Sequence, residues 1–511
     1  MSLMQLTRMQ INSLVLIGLT LVVTIATLSL TDQEVLQQHV QEFQIQALIN
    51  SLIILLTTAI GVVMVGVGMA WLTSSHQFKG RKLLHWLLML PLAMPPYLLA
   101  FSLIGVLPEG MLPLSSAHNG ILVALFYIFS LYPFVYIPVR HTFSHRQGHY
   151  LDHSQMLGLS PTEVLFKLTL PKAYPALFAG LSIVMIETIA DFATPALFGY
   201  QTLTTVLLNT QETSTPLTVL LPSVISLILI GALIQLCKQP FNKAKPDSAA
   251  EIHTLTGYQL SSKESIIAIA MPLSIGFIGF ILPTTLFLAW GLSFSVPGQL
   301  TQLAGWLSNS LIMASATLVL GLLVIVIHLS PQQFKLLARV SHVFFNIAKA
   351  IPTTALAALV LVMLLIPFTL LGDGKINTST VSDELLIPAL FALVLVYLFH
   401  FVPSVMERFN LSLMLPANLS QPIGLSAWTS FRFFHLPRFW PAFIVLLIIL
   451  TEVLRELPAT YLLAPSGWET LAVACFDMVR NGMQEEAALP ALLLIAIGLL
   501  PIPLFAKYST S

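Results

Sequence analysis

At 511 residues the chain is long enough for several soluble domains, but 56% of it is hydrophobic and only 9% charged. That balance excludes a soluble fold and defines an integral membrane protein. Twenty-two Lys and Arg against 22 Asp and Glu leave no net charge, which points away from nucleic acid, and two cysteines are too few for a disulfide framework.

Taken in order, twelve apolar stretches of roughly 20 residues each predict membrane spans at 11–30, 47–73, 84–107, 120–139, 174–197, 217–236, 266–292, 306–328, 343–371, 386–405, 440–463 and 487–506. The first follows Arg8 and has no small-residue cleavage site before Asp32, so it reads as a retained helix and not as a cleaved signal. With the N-terminus inside, 19 of the 22 Lys and Arg fall in inner segments, leaving Lys375, Arg455 and Arg480. The outer segments 31–46 and 198–216 carry acids but no Lys or Arg. The positive-inside rule then predicts both termini in the cytoplasm and Cys237 and Cys475 on opposite sides of the bilayer.

The spans divide into two sixes. Asn50-Ser-Leu-Ile53 recurs as Asn309-Ser-Leu-Ile312, and Ala93-Met-Pro95 as Ala350-Ile-Pro352. Six crossings return the chain to its starting side, so the halves form a parallel repeat, with any pathway expected between them. The expected fold is an all-α integral membrane protein of about twelve transmembrane helices: a first half at 1–237, a polar cytoplasmic linker at 238–264 that reads as flexible, and a second half at 265–511. Pro95-Pro96 and Pro352 interrupt apolar spans, either as kinks for packing or as bends beside a pathway.

A polar loop between the fourth and fifth spans carries the most information. It reads Asp152-His-Ser154-Gln-Met-Leu-Gly158-Leu-Ser160-Pro161-Thr-Glu163 and runs on to Leu170-Pro171. A second copy, Asn418-Leu-Ser420-Gln-Pro422-Ile-Gly424-Leu-Ser426, runs on to Leu436-Pro437, and both landmarks are displaced by 266 residues (158 to 424, 171 to 437). Gly158 suits the left-handed conformation that ends a helix. Ser160-Pro161-Thr162-Glu163 restarts one, with Ser as N-cap, Pro at the first helical position and Glu completing a capping box. The second copy has Thr429 in place of that Glu, a weaker restart. The predicted product is a rigid helical elbow at the membrane surface.

This pattern resembles the EAA loop of type I ABC importer permeases, in which Glu-Ala-Ala, three residues, Gly and a distant Leu-Pro form the coupling helix. Here Asp152-His153-Ser154 and Asn418-Leu419-Ser420 replace Glu-Ala-Ala, while the Gly, the Leu-Pro and their spacing are kept. The resemblance implies that Asp152, Ser154, Gly158, Leu170 and Pro171, with Ser420, Gly424, Leu436 and Pro437, dock on a cytoplasmic ABC ATPase dimer. It further implies a periplasmic solute-binding protein as partner and a bacterial inner-membrane location. The chain itself has no Gly-x4-Gly-Lys-Ser/Thr and no hydrolase pattern, so it reads as a transport subunit without catalytic residues or a cofactor, ATP being bound by the partner.

Glu187 and Asp191 lie in the fifth span, four residues apart, and a helix would place them on one face. Glu452 and Glu456 repeat the arrangement in the eleventh span, with Arg455 beside them. Buried charges cost roughly 2.5–3.5 kcal/mol each on insertion scales, so these face either a structural network or the translocation path. The path is the sharper reading for all four acids, with Arg455 forming a structural ion pair with Glu452 or Glu456. The segments Glu187-Thr-Ile-Ala-Asp191-Phe-Ala-Thr194 and Glu452-Val-Leu-Arg-Glu456-Leu-Pro-Ala-Thr460 resemble those of fused ferric-iron permeases, and the resemblance implies iron as cargo. Fused thiamine permeases share the pattern and give the alternative solute. An ion-coupled secondary transporter would also explain buried acids and repeats, but gives the duplicated elbow no role.

His141, His145, His149 and His153 recur every four residues near the first loop. Gly148 and the neighbouring Arg140 and Arg146 favour titrating surface histidines over a chelating set, so no metal site is assigned.

Overall fold

The structure is a computed structural model. It describes residues 39–106, 116–156, 159–212, 217–238, 241, 258–293, 299–329, 348, 350–371, 386–409, 436–465 and 467–504. The expected first span and the second elbow with Ser420 and Gly424 lie outside these residues.

The architecture is helical, as expected. In chain order the helices are α1 (His39–Ser75), α2 (Arg81–Met89), α3 (Pro96–Ile104), α4 (Ser116–Leu131), α5 (Pro133–Met156), α6 (Pro161–Ala190), α7 (Ala193–Leu197), α8 (Leu203–Glu212) and α9 (Leu217–Lys238). They continue as α10 (Lys263–Ser293), α11 (Gln299–Leu329), α12 (Thr353–Leu371), α13 (Leu386–Phe409), α14 (Leu436–Leu454), α15 (Pro458–Leu463), α16 (Leu471–Arg480) and α17 (Gln484–Leu499). Among the described residues six helices are long and apolar enough to cross a membrane, or eight if each of two bent pairs counts as one span. The expected ninth, tenth and eleventh spans appear as shorter apolar helices, Thr353–Leu364, Ile387–Pro403 and Val445–Leu454.

Prolines decide where the spans bend. Residues Arg81–Ala93 and Pro96–Ile104 meet at 89°. Pro95 and Pro96 lack the N–H groups a continuing helix would need, and Met94 is extended, as the residue before a proline prefers. The Met94 carbonyl takes the Ser130 hydroxyl as its donor instead. The expected single span at 84–107 is therefore a broken one. The fourth span is milder, with a 42° bend between His118–Leu131 and Pro133–Ser144.

Two compact units emerge. One comprises Asp32–Asn209, Leu229–Ser295 and Phe476–Ser511; the other contains Thr210–Ile228 and Val296–Cys475. Within the first, α1 packs on α4, α5 and α6, and α5 on α6. Small residues allow these approaches: a Cβ on Gly66 would sit 2.9 Å from a Val135 side-chain carbon, and one on Gly180 2.3 Å from the Phe134 carbonyl oxygen. The same unit takes in α10, which packs on α2, and α17, which packs on α10. Buried tyrosines tie these helices together: Tyr132 donates to the Leu88 carbonyl (2.7 Å), and the Tyr136 hydroxyl lies 2.7 Å from His85 Nδ1 and 3.1 Å from Thr73 Oγ1. In the second unit α11 packs on α13 and α14, α12 on α15, and α13 on α14 and α15.

The end of the expected linker is ordered. His76–Gln77 pairs in parallel with Tyr258–Gln259, the one strand pairing among the described residues. Ser261 and Glu264 then form a capping box that starts α10.

Candidate transport site and coupling elbow

The first elbow is built as its sequence dictates. Helix α5 carries Asp152 and Ser154 on its last turns and ends at Met156; Gly158 falls outside the described residues. Ser160 is extended, and its Oγ accepts the Glu163 N–H at 3.3 Å while Glu163 Oε2 accepts the Ser160 N–H at 3.1 Å. Lys167 Nζ, 2.8 Å from Glu163 Oε1, adds an exposed i,i+4 ion pair. The helix then passes through a π turn at Val164–Thr169, after which Leu170 and Pro171 continue it into the membrane. A π turn is a recognised way for a helix to absorb a missing donor such as that of Pro171. Of the second copy, Leu436 and Pro437 are seen opening α14.

The buried acids depart from the expected geometry. Glu187 lies within α6, half-buried, but the helix ends at Ala190 and Asp191 is extended (φ −78°, ψ 124°). Asp191 and Glu187 therefore do not share a helical face. Pro195 explains the break, since it cannot supply the N–H that the Asp191 carbonyl would accept in a continued helix. The Thr204 hydroxyl donates to that carbonyl at 3.0 Å. In the other half α14 ends at Leu454, before Pro458, and Glu456 lies beyond the helix, away from the face of Glu452.

Each carboxylate turns onto the short helix that follows. Asp191 Oδ1 accepts the N–H groups of Ala193 (2.7 Å) and Thr194 (3.4 Å), and Oδ2 accepts the Thr194 hydroxyl at 2.5 Å. Glu456 Oε1 accepts the Ala459 N–H (2.7 Å), and Oε2 accepts the Thr460 N–H (3.0 Å) and hydroxyl (2.6 Å). Both acids thus cap an Ala-Thr pair. Those pairs, 193–194 and 459–460, are displaced by the same 266 residues as the elbows. Asp191 stands two residues before its Ala and Glu456 three, so the longer side chain spans the longer gap. A buried tyrosine stands by each: Tyr127 lies beside Asp191, and Tyr397 hydrogen-bonds the Thr460 hydroxyl. These tyrosines were not singled out from sequence.

The repeated Asn-Ser-Leu-Ile motif also finds its place. Asn50 Nδ2 donates to the Gln201 carbonyl (2.8 Å) and Ser51 Oγ accepts the Leu203 N–H (3.0 Å). In the other half Asn309 Nδ2 donates to the Glu469 carbonyl (3.0 Å) and Ser310 Oγ accepts the Leu471 N–H (2.9 Å). Each motif clamps the loop that follows its capped break. Both loops turn on a glycine of positive φ, Gly199 at 57° and Gly467 at 81°. Arg455 sits half-buried at the second break, where its N–H reaches the Glu452 carbonyl at 3.3 Å. No cluster of three or more His, Cys, Asp or Glu is placed to hold a metal among the described residues.

Apolar spans broken by proline, re-capped by acids and pinned by polar clamps are the construction of a polytopic membrane protein. Residues 62–243 match the family model described as "Binding-protein-dependent transport system inner membrane component". The chain is 22% identical over 480 residues, 91% of its length and 90% of the relative's, to the Fe(3+)-transport system permease protein FbpB 2 of Haemophilus influenzae. Shorter matches are to a probable molybdenum ABC transporter permease protein of Haloferax volcanii (27% identical, 31% of this chain and 61% of that one) and to the sulfate transport system permease protein CysT of Salmonella typhimurium (28%, 25% and 49%). No solved structure matches the chain. Residues 62–243 thus carry a domain of that inner-membrane component family, and the apolar helices are those of a multi-pass membrane protein.

Proposed function

We propose that this chain is the membrane subunit of an ATP-driven importer, two permease halves joined at 238–264, that passes ferric iron from a periplasmic binding protein to the cytoplasm. Similarity over nine-tenths of the chain to a permease named for Fe(3+) transport carries the reading of cargo. The elbow after α5, and its sequence copy around Gly424, are the docking points for a cytoplasmic ATPase dimer. Of the four acids first read as path residues, Glu187 and Glu452 are kept as the groups a cation meets. Weak contacts of this kind let an ion pass where tight chelation would hold it. Arg455 is kept as the structural partner of Glu452 or Glu456.

The test is uptake of radioactive iron by a deletion strain, with and without the restored gene, and recovery of an ATPase chain with the tagged permease. Iron uptake that depends on the gene supports the reading. Normal iron uptake in the deletion strain overturns it. Gene-dependent uptake of thiamine, or of molybdate or sulfate as the shorter relatives' names suggest, would then reassign the cargo and keep the class.

A further inference from the structure

A cation path is the obvious use for the duplicated acids Asp191 and Glu456. Their hydrogen bonds argue otherwise. A carboxylate offers about four lone-pair positions, and each of these accepts three hydrogen bonds from the two residues it caps. The Asp191 turn has a further constraint, since the Thr204 hydroxyl holds its main-chain carbonyl. The capped object is the same in both halves: an Ala-Thr pair in the first turn of a short helix, Ala193–Leu197 or Pro458–Leu463, that follows the end of the long one. What the halves share is the cap; they differ in acid type, in spacing and in the proline's place, which follows the Asp191 pair's Thr194 but precedes Ala459.

We infer that Asp191 and Glu456 are positioning residues, whose oxygens cap the helices that restart after the breaks in the fifth and eleventh spans and whose negative charge is not used on the cargo. Their work is to fix where each long helix stops, and so where Glu187 and Glu452, one turn earlier, are held. The second clause rests on the path reading given above; the capping role does not.

Amide side chains separate the two uses, because Asn and Gln keep an acceptor oxygen and lose the charge. At Asp191 both main-chain N–H groups sit on Oδ1, so the new amide replaces Oδ2 alone and Thr194 can rotate its hydroxyl to accept from it. At Glu456 the two N–H groups sit on different oxygens, so Glu456→Gln sets its NH2 against one of them and gives up that main-chain bond. Two readouts are needed: thermal unfolding of the purified chain in detergent, which needs no assumption about cargo, and uptake per molecule in the membrane. Asp191→Asn should unfold close to the parent and transport within about twofold of it, while Glu456→Gln should unfold between the parent and Glu456→Ala, with transport falling only as far as its stability does. Asp191→Ala and Glu456→Ala should unfold earlier and transport less, by roughly two- to thirtyfold if uptake follows the loss of a helix cap. Poor transport by the amide variants with parent-like unfolding would overturn the inference, as would alanine variants that match the parent in both readouts. If the alanine variants never reach the membrane, Asp191→Asn still decides, since it removes the charge and keeps both main-chain bonds of the cap. A parent that carries no iron would defeat the cargo reading alone, and the unfolding series would still test the cap.

Discussion

A single glycine sets how closely α5 and α6 approach. The neighbours that a Cβ on Gly180 would meet are main-chain atoms, the Phe134 carbonyl and the Val135 Cα, which cannot swing aside as a side chain can. Gly68, on α1, has nothing within 4 Å of the same position. Gly180→Ala should therefore destabilise by about 1–3 kcal/mol through overpacking, whereas Gly68→Ala should be neutral or gain up to about 1 kcal/mol from helix propensity. Thermal unfolding of the two purified variants checks this, and equal midpoints would refute the packing argument. At the elbows the glycine has another use. Replacing Gly158 or Gly424 by Leu should leave the protein in the membrane and lower both uptake and recovery of the ATPase chain. Normal transport by both variants would remove the elbows from the coupling scheme.

Between breaks and loops, the elements are held by bonds that cross long stretches of sequence. Ser51 and Ser310 each accept a buried main-chain N–H, from Leu203 and Leu471. Removing the hydroxyl strands that donor at a cost of about 1–3 kcal/mol. Ser51→Ala should accordingly speed hydrogen exchange at Leu203, by roughly five- to a hundredfold on that cost, with the middle of α1 unchanged. Ser310→Ala should do the same at Leu471; unchanged exchange at both would show the clamps to be incidental. Sequence exposed the duplicated Asn-Ser motif but could not give its use, because the partners lie about 150 to 160 residues further on. The capping box at Ser160 was legible because all its parts sit within four residues. The supposed common face of Glu187 and Asp191 failed for an equally local reason: a helical projection assumes an unbroken helix, and this one stops at Ala190, where Pro195 leaves the Asp191 carbonyl without its helical donor. Tyr127 and Tyr397 gave no signal, being two more aromatics in apolar runs until the fold set them beside the acids.

Across the whole molecule, packing and sequence repeat divide the chain differently. The repeat predicts a boundary near 238–264, yet α10 and α17 belong to the same compact unit as most of the first half. Membrane orientation is independent of that division, since it follows from charge: 19 of 22 Lys and Arg lie in segments expected inside. The cysteines make the test simple. Cys475 is buried and Cys237 exposed, so Cys237→Ser gives a background with little reactive thiol. In that background a cysteine at Gln201, an exposed position after the first capped break, should react in intact cells with a reagent that cannot cross the inner membrane. A cysteine at 146 or 245 should react only after the membrane is opened. The second half needs its own pair, at Glu469, also exposed and in the loop matching that of Gln201, and at Arg408. Agreement of the two halves is what a parallel repeat requires, because six crossings bring the second half in with the orientation of the first. Opposite labelling at Gln201 and Glu469 would turn the repeat into an inverted one and place the two elbows on different sides of the membrane, where no single cytoplasmic ATPase dimer could engage both.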